Sequence, residues 1–329
     1  MKRMKLGVLG ASRHFITKVL PPLLKSELIE VYGIASRDPA KAEETAKQFG
    51  IPKSFSSYEE LVQEKDLEMV YIPLPNHLHT EWIKKSADSG KHVVCEKPLA
   101  LNAAEAKEAL DYARKKGIKV MEAFMYKFHP QWQSALEIVR FGEIGRINSI
   151  HTFFGYANND PQNIRNIKET GGGALYDIGC YAVSSARFLL QAEPVKVLSV
   201  AAFDQAFHTD ILTSGILDFG EGVRALFTIG TQTFPAQKVE VFGSGGLLTI
   251  KIPFNMYPDV PAKIKVTTDV GSRSLELGPC DQYRVEFEEF VRAVRGEAEV
   301  PNSPEDAVNN MKVLDALFRS IETGRWENV

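Results

Sequence analysis

The chain has 329 residues, 44% hydrophobic and 25% charged, which is an ordinary globular composition and enough length for two domains. A formal net charge of −3 excludes the strongly basic character of proteins that bind nucleic acids or anionic membranes. The three cysteines, Cys95, Cys180 and Cys280, are widely spaced and predict neither a disulfide framework nor a cysteine metal site.

The N-terminal stretch MKRMKLGVLG begins with basic residues, as a signal peptide does. Its apolar run of about five residues is nevertheless shorter than the 7–15 of such a peptide. No segment reaches the roughly 20 apolar residues that cross a bilayer. We therefore expect a cytoplasmic protein with no membrane partner and no nucleic-acid partner.

The first third alternates short apolar strands with helical segments. The predicted strands are KLGVLG, EVYGIAS, EMVYIPLP, KHVVCEKP and KVMEAF, and capped helices such as DPAKAEETAKQFG lie between them. Continuous apolar strands that alternate with helices indicate a parallel sheet covered on both faces. Residues 1–124 are therefore predicted to form a doubly wound, Rossmann-type nucleotide-binding domain.

Longer strands with alternating polarity follow after about residue 125. They are RINSIHTFFGY, VKVLSVAAF, DILTSGILDF, VRALFTIGTQT, KVEVFGSGGLLTI and KIKVTTD. Tight turns such as FGEG separate several of them, which predicts a large open, mainly antiparallel sheet. One helix within GGGALYDIGCYAVSSARFLL interrupts the series, and two helices close the chain. Residues 125–329 are thus predicted to be a second, α/β domain that binds substrate.

The first strand ends in GVLGASRHF, where Gly10, Ser12 and Phe15 occupy the positions of the three glycines in a dinucleotide fingerprint. Only the first glycine is present, so an ordinary strand–turn–helix is a real alternative. The location on the first strand favours dinucleotide binding, because ligands of doubly wound sheets lie at the carboxyl ends of the strands.

The second strand ends in ASRDP, where an NAD site usually has an acid for the ribose 2′-hydroxyl. Ser36 and Arg37 occupy this corner, and Lys41 lies one helical turn beyond. A hydroxyl and a guanidinium suit a 2′-phosphate, which favours NADP and leaves NAD possible. In the alternative interpretation Asp38 caps the helix and Arg37 is simply solvated.

Two further strand ends carry polar residues. In IPLPNHLH the prolines predict an extended loop from which Asn76 and His79 point into the cleft, and no third ligand completes a metal site with His77 and His79. In KHVVCEKP the strand delivers Lys97, with Glu96 before it to orient it. A lysine beside a cationic nicotinamide suits proton transfer, although a strand-end lysine is more commonly solvated.

A second group of candidate residues lies in GGGALYDIGCYAV. Gly171 to Gly173 permit a close backbone approach, and Asp177 and Tyr181 at i and i+4 share one helix face. An acid and a phenol placed in this way can bind a sugar hydroxyl and relay its proton. Alternatively, Asp177 caps the helix and Tyr181 is part of the core.

Together these segments resemble the glucose–fructose oxidoreductase / inositol dehydrogenase / MocA (Gfo/Idh/MocA) family. The matching pieces are GVLGAS, IPLPNHLH, CEKPLAL, MEAFMYKFHPQ, GGGALYDIGCY and VLDALFRSIETGR, which run from residue 7 to about 325. The resemblance implies NAD(P)-dependent hydride transfer at a sugar-type carbinol carbon, with a homodimer or homotetramer formed through the second sheet. It implies catalytic roles for Lys97 and Asp177.

Most of the family has histidine at the position of Tyr181. A tyrosine there resembles the branch with dihydrodiol and D-xylose dehydrogenases and nucleotide-sugar 3-ketoreductases, and it adds Tyr181 to the expected proton relay. Phe15 departs from the family's small residue and leaves the contact near the pyrophosphate open. The expected cofactor contacts are Gly10, Ser12, Arg13, His14, Phe15, Ser36, Arg37, Leu74, Pro75, Asn76, His79, Glu96, Lys97 and Arg165.

The sequence allows more than one role for several of these residues. Arg165 is as well suited to a loop salt bridge as to clamping a substrate anion. Tyr126, Phe128 and Trp132 can line the cleft, but such aromatic residues are more often core. The residues do not decide whether Lys97 or Tyr181 is the main acid/base. A sensor that binds NAD(P) or a sugar without turnover is the rival function, since fold does not fix function.

Overall fold

The structure is a computed structural model that describes residues 2–329. The chain divides into two compact units. The first comprises Met1–Phe124 and Tyr283–Val308, and the second comprises Met125–Gln282 and Asn309–Val329. The sequence pattern predicts that residues 125–329 all belong to the second domain, whereas the chain returns to the first unit with Tyr283–Val308.

The first unit contains a six-stranded sheet whose paired strands all run parallel. The spatial order is β3-β2-β1-β4-β5-β6, that of a Rossmann fold. The strands are β1 Met4–Leu9, β2 Ile29–Ala35, β3 Lys53–Phe55, β4 Met69–Ile72, β5 His92–Glu96 and β6 Val120–Ala123. The sequence pattern missed β3, because three half-exposed or exposed edge residues carry no apolar run.

Five helices follow the strands of this sheet. They are α1 Leu20–Leu23, α2 Pro39–Phe49, α3 Tyr58–Gln63, α4 His79–Asp88 and α5 Ala103–Lys115. The helix α2 begins as its sequence predicts, with the Asp38 carboxylate accepting from Ala40 N at 3.1 Å and Pro39 in the first turn. A wide π turn, Phe15–Val19, precedes α1. Pro21 and Pro22 have no N–H to donate to the preceding turn, which interrupts the α-helical pattern there.

The second unit contains a nine-stranded sheet of order β14-β13-β12-β11-β7-β10-β9-β8-β15. Its strands are β7 Ile147–Ala157, β8 Lys196–Phe203, β9 Asp210–Asp218, β10 Arg224–Gly230, β11 Gln232–Gly243, β12 Gly246–Ile250, β13 Ala262–Thr268, β14 Gly271–Leu277 and β15 Glu327–Asn328. The sheet is mainly antiparallel, as expected. One pair, β7 and β10, runs parallel.

The helices α6 Pro130–Arg140 and α7 Cys180–Leu190 belong to the second unit. A π turn, Leu175–Gly179, leads directly into α7. The strands β8 to β10 alternate buried with more exposed residues, so one face of the sheet contributes to the core.

Two helices complete the chain, α8 Gln282–Val294 and α9 Pro304–Thr323. Most of α8 and the first turn of α9 belong to the first unit, and the remainder of α9 belongs to the second. The fully buried Phe287 of α8 packs edge-on against Tyr71 of β4, with ring centroids 5.1 Å apart. The first unit's core therefore includes residues more than 200 positions apart.

Candidate functional site

The loop after β1 has the backbone of a dinucleotide fingerprint without its second and third glycines. Gly10 has φ +121°, which favours glycine, and its N–H donates to Ala35 O at 2.9 Å. The Ser12 hydroxyl accepts from Phe15 N at 3.1 Å, so serine caps the helix start where a glycine was expected. The Phe15 side chain is fully buried, and Arg13 is exposed. A cofactor contact from Phe15 would therefore have to come from its backbone.

The end of β2 carries positively charged side chains, and the one acid in its ASRDP segment is engaged as a helix cap. The Asp38 carboxylate caps α2, whereas Arg37 and Lys41 are exposed. The Ser36 hydroxyl accepts from Asp38 N at 3.2 Å. Tyr58, which belongs to none of the candidate motifs, lies beside Arg37. Burial raises the Tyr58 pKa, opposed by the charge and the backbone N–H of Arg37.

The loop after β4 differs from its expected form at His79. The His79 ring is fully buried, with Nε2 2.8 Å from Leu74 O and Nδ1 2.9 Å from Pro98 O. Burial lowers the His79 pKa, opposed by the two carbonyls. This ring ties two loops together, contrary to the expectation that it points into a cleft. A cofactor contact of His79 stays a prediction and would have to come from its backbone. Pro75 and Asn76 are half-buried at the start of a short 3₁₀ turn.

Lys97 directly follows β5, and the chain is anchored on both sides of it. The Tyr71 hydroxyl donates to Glu96 Oε1 at 2.6 Å before the lysine. After it, His79 holds Pro98 O, and Leu99 N donates to Glu122 Oε1 at 2.8 Å. Lys97 itself is half-buried. The backbone that carries Lys97 is thus fixed by side chains from three other elements.

The carboxylate of Glu96 remains ionised in this setting. His14 Nε2 lies 3.6 Å from Glu96 Oε1. Burial works against ionisation, but the hydrogen bond and charge of His14, the charge of Lys97 and the Tyr71 hydroxyl together hold the Glu96 pKa at about 2. An anion therefore sits beside Lys97 across the physiological pH range.

In the second unit, Asp177 lies in the π turn before α7 and is held by two side chains from earlier segments. The Tyr156 hydroxyl of β7 donates to Asp177 Oδ2 at 2.6 Å. Arg165 Nε lies 2.9 Å from the same oxygen, so the ion-pair interpretation of Arg165 describes this structure. Burial and the Asp177 charge raise the Tyr156 pKa. Tyr156 was missed in the sequence, because its partner is 21 positions away.

Tyr181 is the second residue of α7 and is 6% exposed. Its hydroxyl lies 3.3 Å from Met125 Sδ, and its ring contacts Phe154 and Phe254 with centroids 5.8 and 5.2 Å away. Tyr126, also in contact with this ring, donates to or accepts from Ser184 Oγ at 2.7 Å. Tyr126 and Trp132 are fully buried, which agrees with the interpretation that these aromatic residues belong to the core.

The glycine run fits against two other segments of the second unit. A Cβ on Gly173, whose φ is +116°, would lie 2.1 Å from Asp210 Oδ1. A Cβ on Gly172 would lie 2.7 Å from both Arg165 O and Ile167 O. The buried Asp210 accepts from Leu175 N at 2.8 Å, at the start of the turn that carries Asp177. The glycines thus allow a carboxylate to bind the beginning of this helix.

Each unit brings its own candidate residues together. In the first, Glu96 is in contact with His14 and adjoins Lys97; in the second, Asp177 and Arg165 form a pair. Among residues 2–329, no group of three or more His, Cys, Asp or Glu is arranged to hold a metal ion. Within the same described range, no helix is long and apolar enough to cross a membrane.

The first unit has the donor set that a dinucleotide phosphate needs. Gly10 keeps the backbone open at the end of β1, and exposed Arg13, Arg37 and Lys41 supply positive charge around the ends of β1 and β2. The residues present therefore fit a phosphorylated dinucleotide.

Two family models match the chain. The model described as "Oxidoreductase family, NAD-binding Rossmann fold" matches residues 4–124, and the Gfo/Idh/MocA C-terminal domain matches residues 132–249. These matches cover both units.

Individual proteins match over almost their whole lengths. An uncharacterized oxidoreductase of Rhizobium meliloti is 40% identical, with all of each chain covered. D-xylose 1-dehydrogenase (NADP(+)) 2 of Haloferax volcanii is 38% identical over 98% of each chain. A 3-ketoreductase from Actinomadura kijaniata, solved with NADP and TDP-benzene, superposes with a TM-score of 0.93 at 29% identity, covering 97% of this chain and 98% of the other.

Proposed function

The chain belongs to the Gfo/Idh/MocA oxidoreductase family, and we propose that it transfers a hydride between NADP(H) and a carbinol or carbonyl carbon of a sugar, polyol or related diol. The observation that carries the proposal is the anchoring of Lys97. Tyr71, His79 and Glu122 fix the chain on either side of it. Such fixing suits a group that must meet a reacting atom, because small misplacements of a catalytic group cost much of its effect.

NADP, rather than NAD, is the proposed cofactor, and it supplies the hydride acceptor or donor when bound. Arg37 and Lys41 are exposed beside the end of β2, and Asp38 is engaged as a helix cap. Two cations and no free acid favour a 2′-phosphate over a 2′-hydroxyl. NADP is also named for the Haloferax dehydrogenase and the Actinomadura reductase.

The proton transfer is assigned to the chain's own side chains. During oxidation, Tyr181 takes the proton of the substrate hydroxyl, and the charge of Lys97 stabilises the phenolate that this requires. During reduction, the same pair returns the proton to the carbonyl oxygen. Asp177, held by Arg165 and Tyr156, orients the substrate.

The substrate class follows from these groups and from the relatives. A phenol, an ammonium and a carboxylate match a compound with adjacent hydroxyls, and the relatives include a dehydrogenase named for xylose and a 3-ketoreductase solved with a TDP compound. The rival function is a sensor that binds NADP or a sugar without turnover. A sensor has no need of the anchored lysine, which favours the enzyme.

A turnover screen tests the function. Free sugars, polyols, diols and keto-sugars are assayed with NADP(H) and NAD(H), and we expect turnover with at least one class. Lys97→Met and Tyr181→Phe should each lower kcat by roughly 10² to 10⁴. The double variant should lose much less than the product, because the two groups act as one relay. Tight cofactor binding without any turnover would instead support the sensor.

We also propose a homodimer or a dimer of dimers formed through the outer face of the nine-stranded sheet. Leu198, Ile216 and Leu226 are paired across β8, β9 and β10 on the face opposite the core. They line an open depression of about 410 Å³, and Val200 beside them is 66% exposed. A contiguous apolar surface of this kind is typical of an interaction site. In an isologous dimer the same surface of each protomer packs against that of its partner, so both copies are buried.

The cytoplasm is the proposed compartment. All three cysteines are free thiols, and Cys95 and Cys180 are buried. Free thiols without a disulfide framework are typical of reducing compartments. A fractionation experiment in the source cell, with a cytoplasmic and an exported marker, tests this assignment.

A further inference from the structure

We infer that Tyr71 is a positioning residue of the reaction: its hydroxyl fixes the carboxylate of Glu96 and thereby the adjoining Lys97. The inference rests on the proposed function, because it assigns Tyr71 an effect that acts through Lys97. It also accounts for Phe15, the departure from the dinucleotide fingerprint, which the proposed function leaves unexplained.

Tyr71 is placed for this role by packing on two sides. It lies in β4, is fully buried, and donates to Glu96 Oε1 at 2.6 Å, a short bond typical of an ionised acceptor. The ring centroid of Phe15 lies 6.0 Å away on one side and that of Phe287 5.1 Å on another. Phe15 therefore fills space against Tyr71 where a small residue would leave a void.

The charges around Glu96 make the Tyr71 hydroxyl important. Lys97 acts on the carboxylate as a positive group, and His14 Nε2 lies 3.6 Å from Glu96 Oε1. Glu286 of α8 is buried, and Oε1 of its side chain has no hydrogen-bond partner in the described structure. Burial and the charge of Glu96 raise the Glu286 pKa well above its usual range. The Glu96 pKa is lowered, so Glu96 is the anion of this cluster, and the Tyr71 hydroxyl is its buried donor.

The effect on Lys97 follows from chain connectivity. Glu96 is the last residue of β5, and Lys97 comes directly after it. His79 and Glu122 hold the chain beyond the lysine, and the pairing of Glu96 with Ala123 of β6 holds the backbone before it. Tyr71 adds the side-chain anchor on the strand side. Without the hydroxyl, the Glu96 carboxylate can rotate away and the lysine loses a fixed counter-charge.

Tyr71→Phe is the test, because it deletes one hydroxyl and keeps the packed ring. We expect kcat to fall roughly tenfold to a hundredfold, the scale of a lost hydrogen bond to a charged group. NADPH affinity, followed by NADPH fluorescence, should change by less than about twofold. Tyr32→Phe is the matched control, since Tyr32 of β2 is also buried and donates to a carboxylate, Asp66, at 2.9 Å. It should keep native kcat.

Two readouts separate positioning from general destabilisation. In the Lys97→Met background, Tyr71→Phe should cause no further loss of kcat, because its effect acts through the lysine. Carbon-13 NMR of labelled glutamate carboxyls should show the Glu96 pKa rise from about 2 when the Tyr71 donor is removed.

The outcomes distinguish this inference from the proposed function. Near-native turnover of Lys97→Met would overturn both. A large loss in Lys97→Met combined with native kcat in Tyr71→Phe would overturn only the role of Tyr71. So would equal fold-losses from Tyr71→Phe in both backgrounds, or an unchanged Glu96 pKa, because either result leaves Tyr71 without a specific effect on the lysine.

Discussion

Gly173→Ala should destabilise the second unit far more than an alanine at another glycine of positive φ. The added Cβ would lie 2.1 Å from Asp210 Oδ1 and would displace the carboxylate that accepts from Leu175 N. The strained backbone costs about 1–3 kcal/mol, and the disturbed hydrogen bond to a charged group about 1.5–3 kcal/mol. The combined loss is about 2.5–6 kcal/mol, or a fall in Tm of roughly 5–25 °C for a unit of this size.

Gly222→Ala is the matched control for this prediction. Gly222 also has positive φ, +81°, but nothing lies within 4 Å of its added Cβ, so only the backbone strain applies. Scanning calorimetry of both variants should place Gly173→Ala roughly 3–12 °C below the control. In an Asp210→Ala background the two alanine substitutions should cost the same. Equal losses of Tm in the native background would refute the contact with Asp210.

Three further predictions concern the cofactor, the assembly and the pH dependence. Arg37→Asp should bind NADP(H) more weakly and NAD(H) more tightly; cofactor titrations that show unchanged NADP affinity would contradict the assignment. Leu226→Lys should shift sedimentation towards monomer. Val270→Lys should not, because Val270 is 92% exposed and does not line the apolar surface of Leu198, Ile216 and Leu226. Burial lowers the His129 pKa to about 4, below its unfolded value of about 6.5, so stability should fall by up to about 3 kcal/mol as pH drops from 6.5 to 4. His129→Asn keeps the cap on Gln131 N and should flatten this fall in urea titrations.

The sequence by itself determined the local structure and the position of Lys97. Apolar runs of four to seven residues predicted most strands of the first sheet, and Asp38 caps the helix that its position indicates. The strand β5, His92–Glu96, lies within the predicted segment KHVVCEKP and places Lys97 directly after its carboxyl end. These features depend on neighbours within a few residues, so the sequence pattern contains them.

Three features of the second half of the chain were not predicted from its sequence pattern. The strand β14 was missed, because its exposed side chains show no clear alternation. The parallel pair of β7 and β10 was not anticipated, since tight turns predict only the pairing of consecutive strands. The return of α8 to the first unit was also missed, because its helical pattern does not state which core it joins.

The tertiary structure alone decided how the candidate residues are held. It gave Asp177 its partners Tyr156 and Arg165, buried His79 against two carbonyls, and placed Tyr71 against Glu96 across 25 positions. Burial and pKa depend on the groups that packing brings within a few ångströms, and strand register and core packing, not sequence spacing, decide which groups those are.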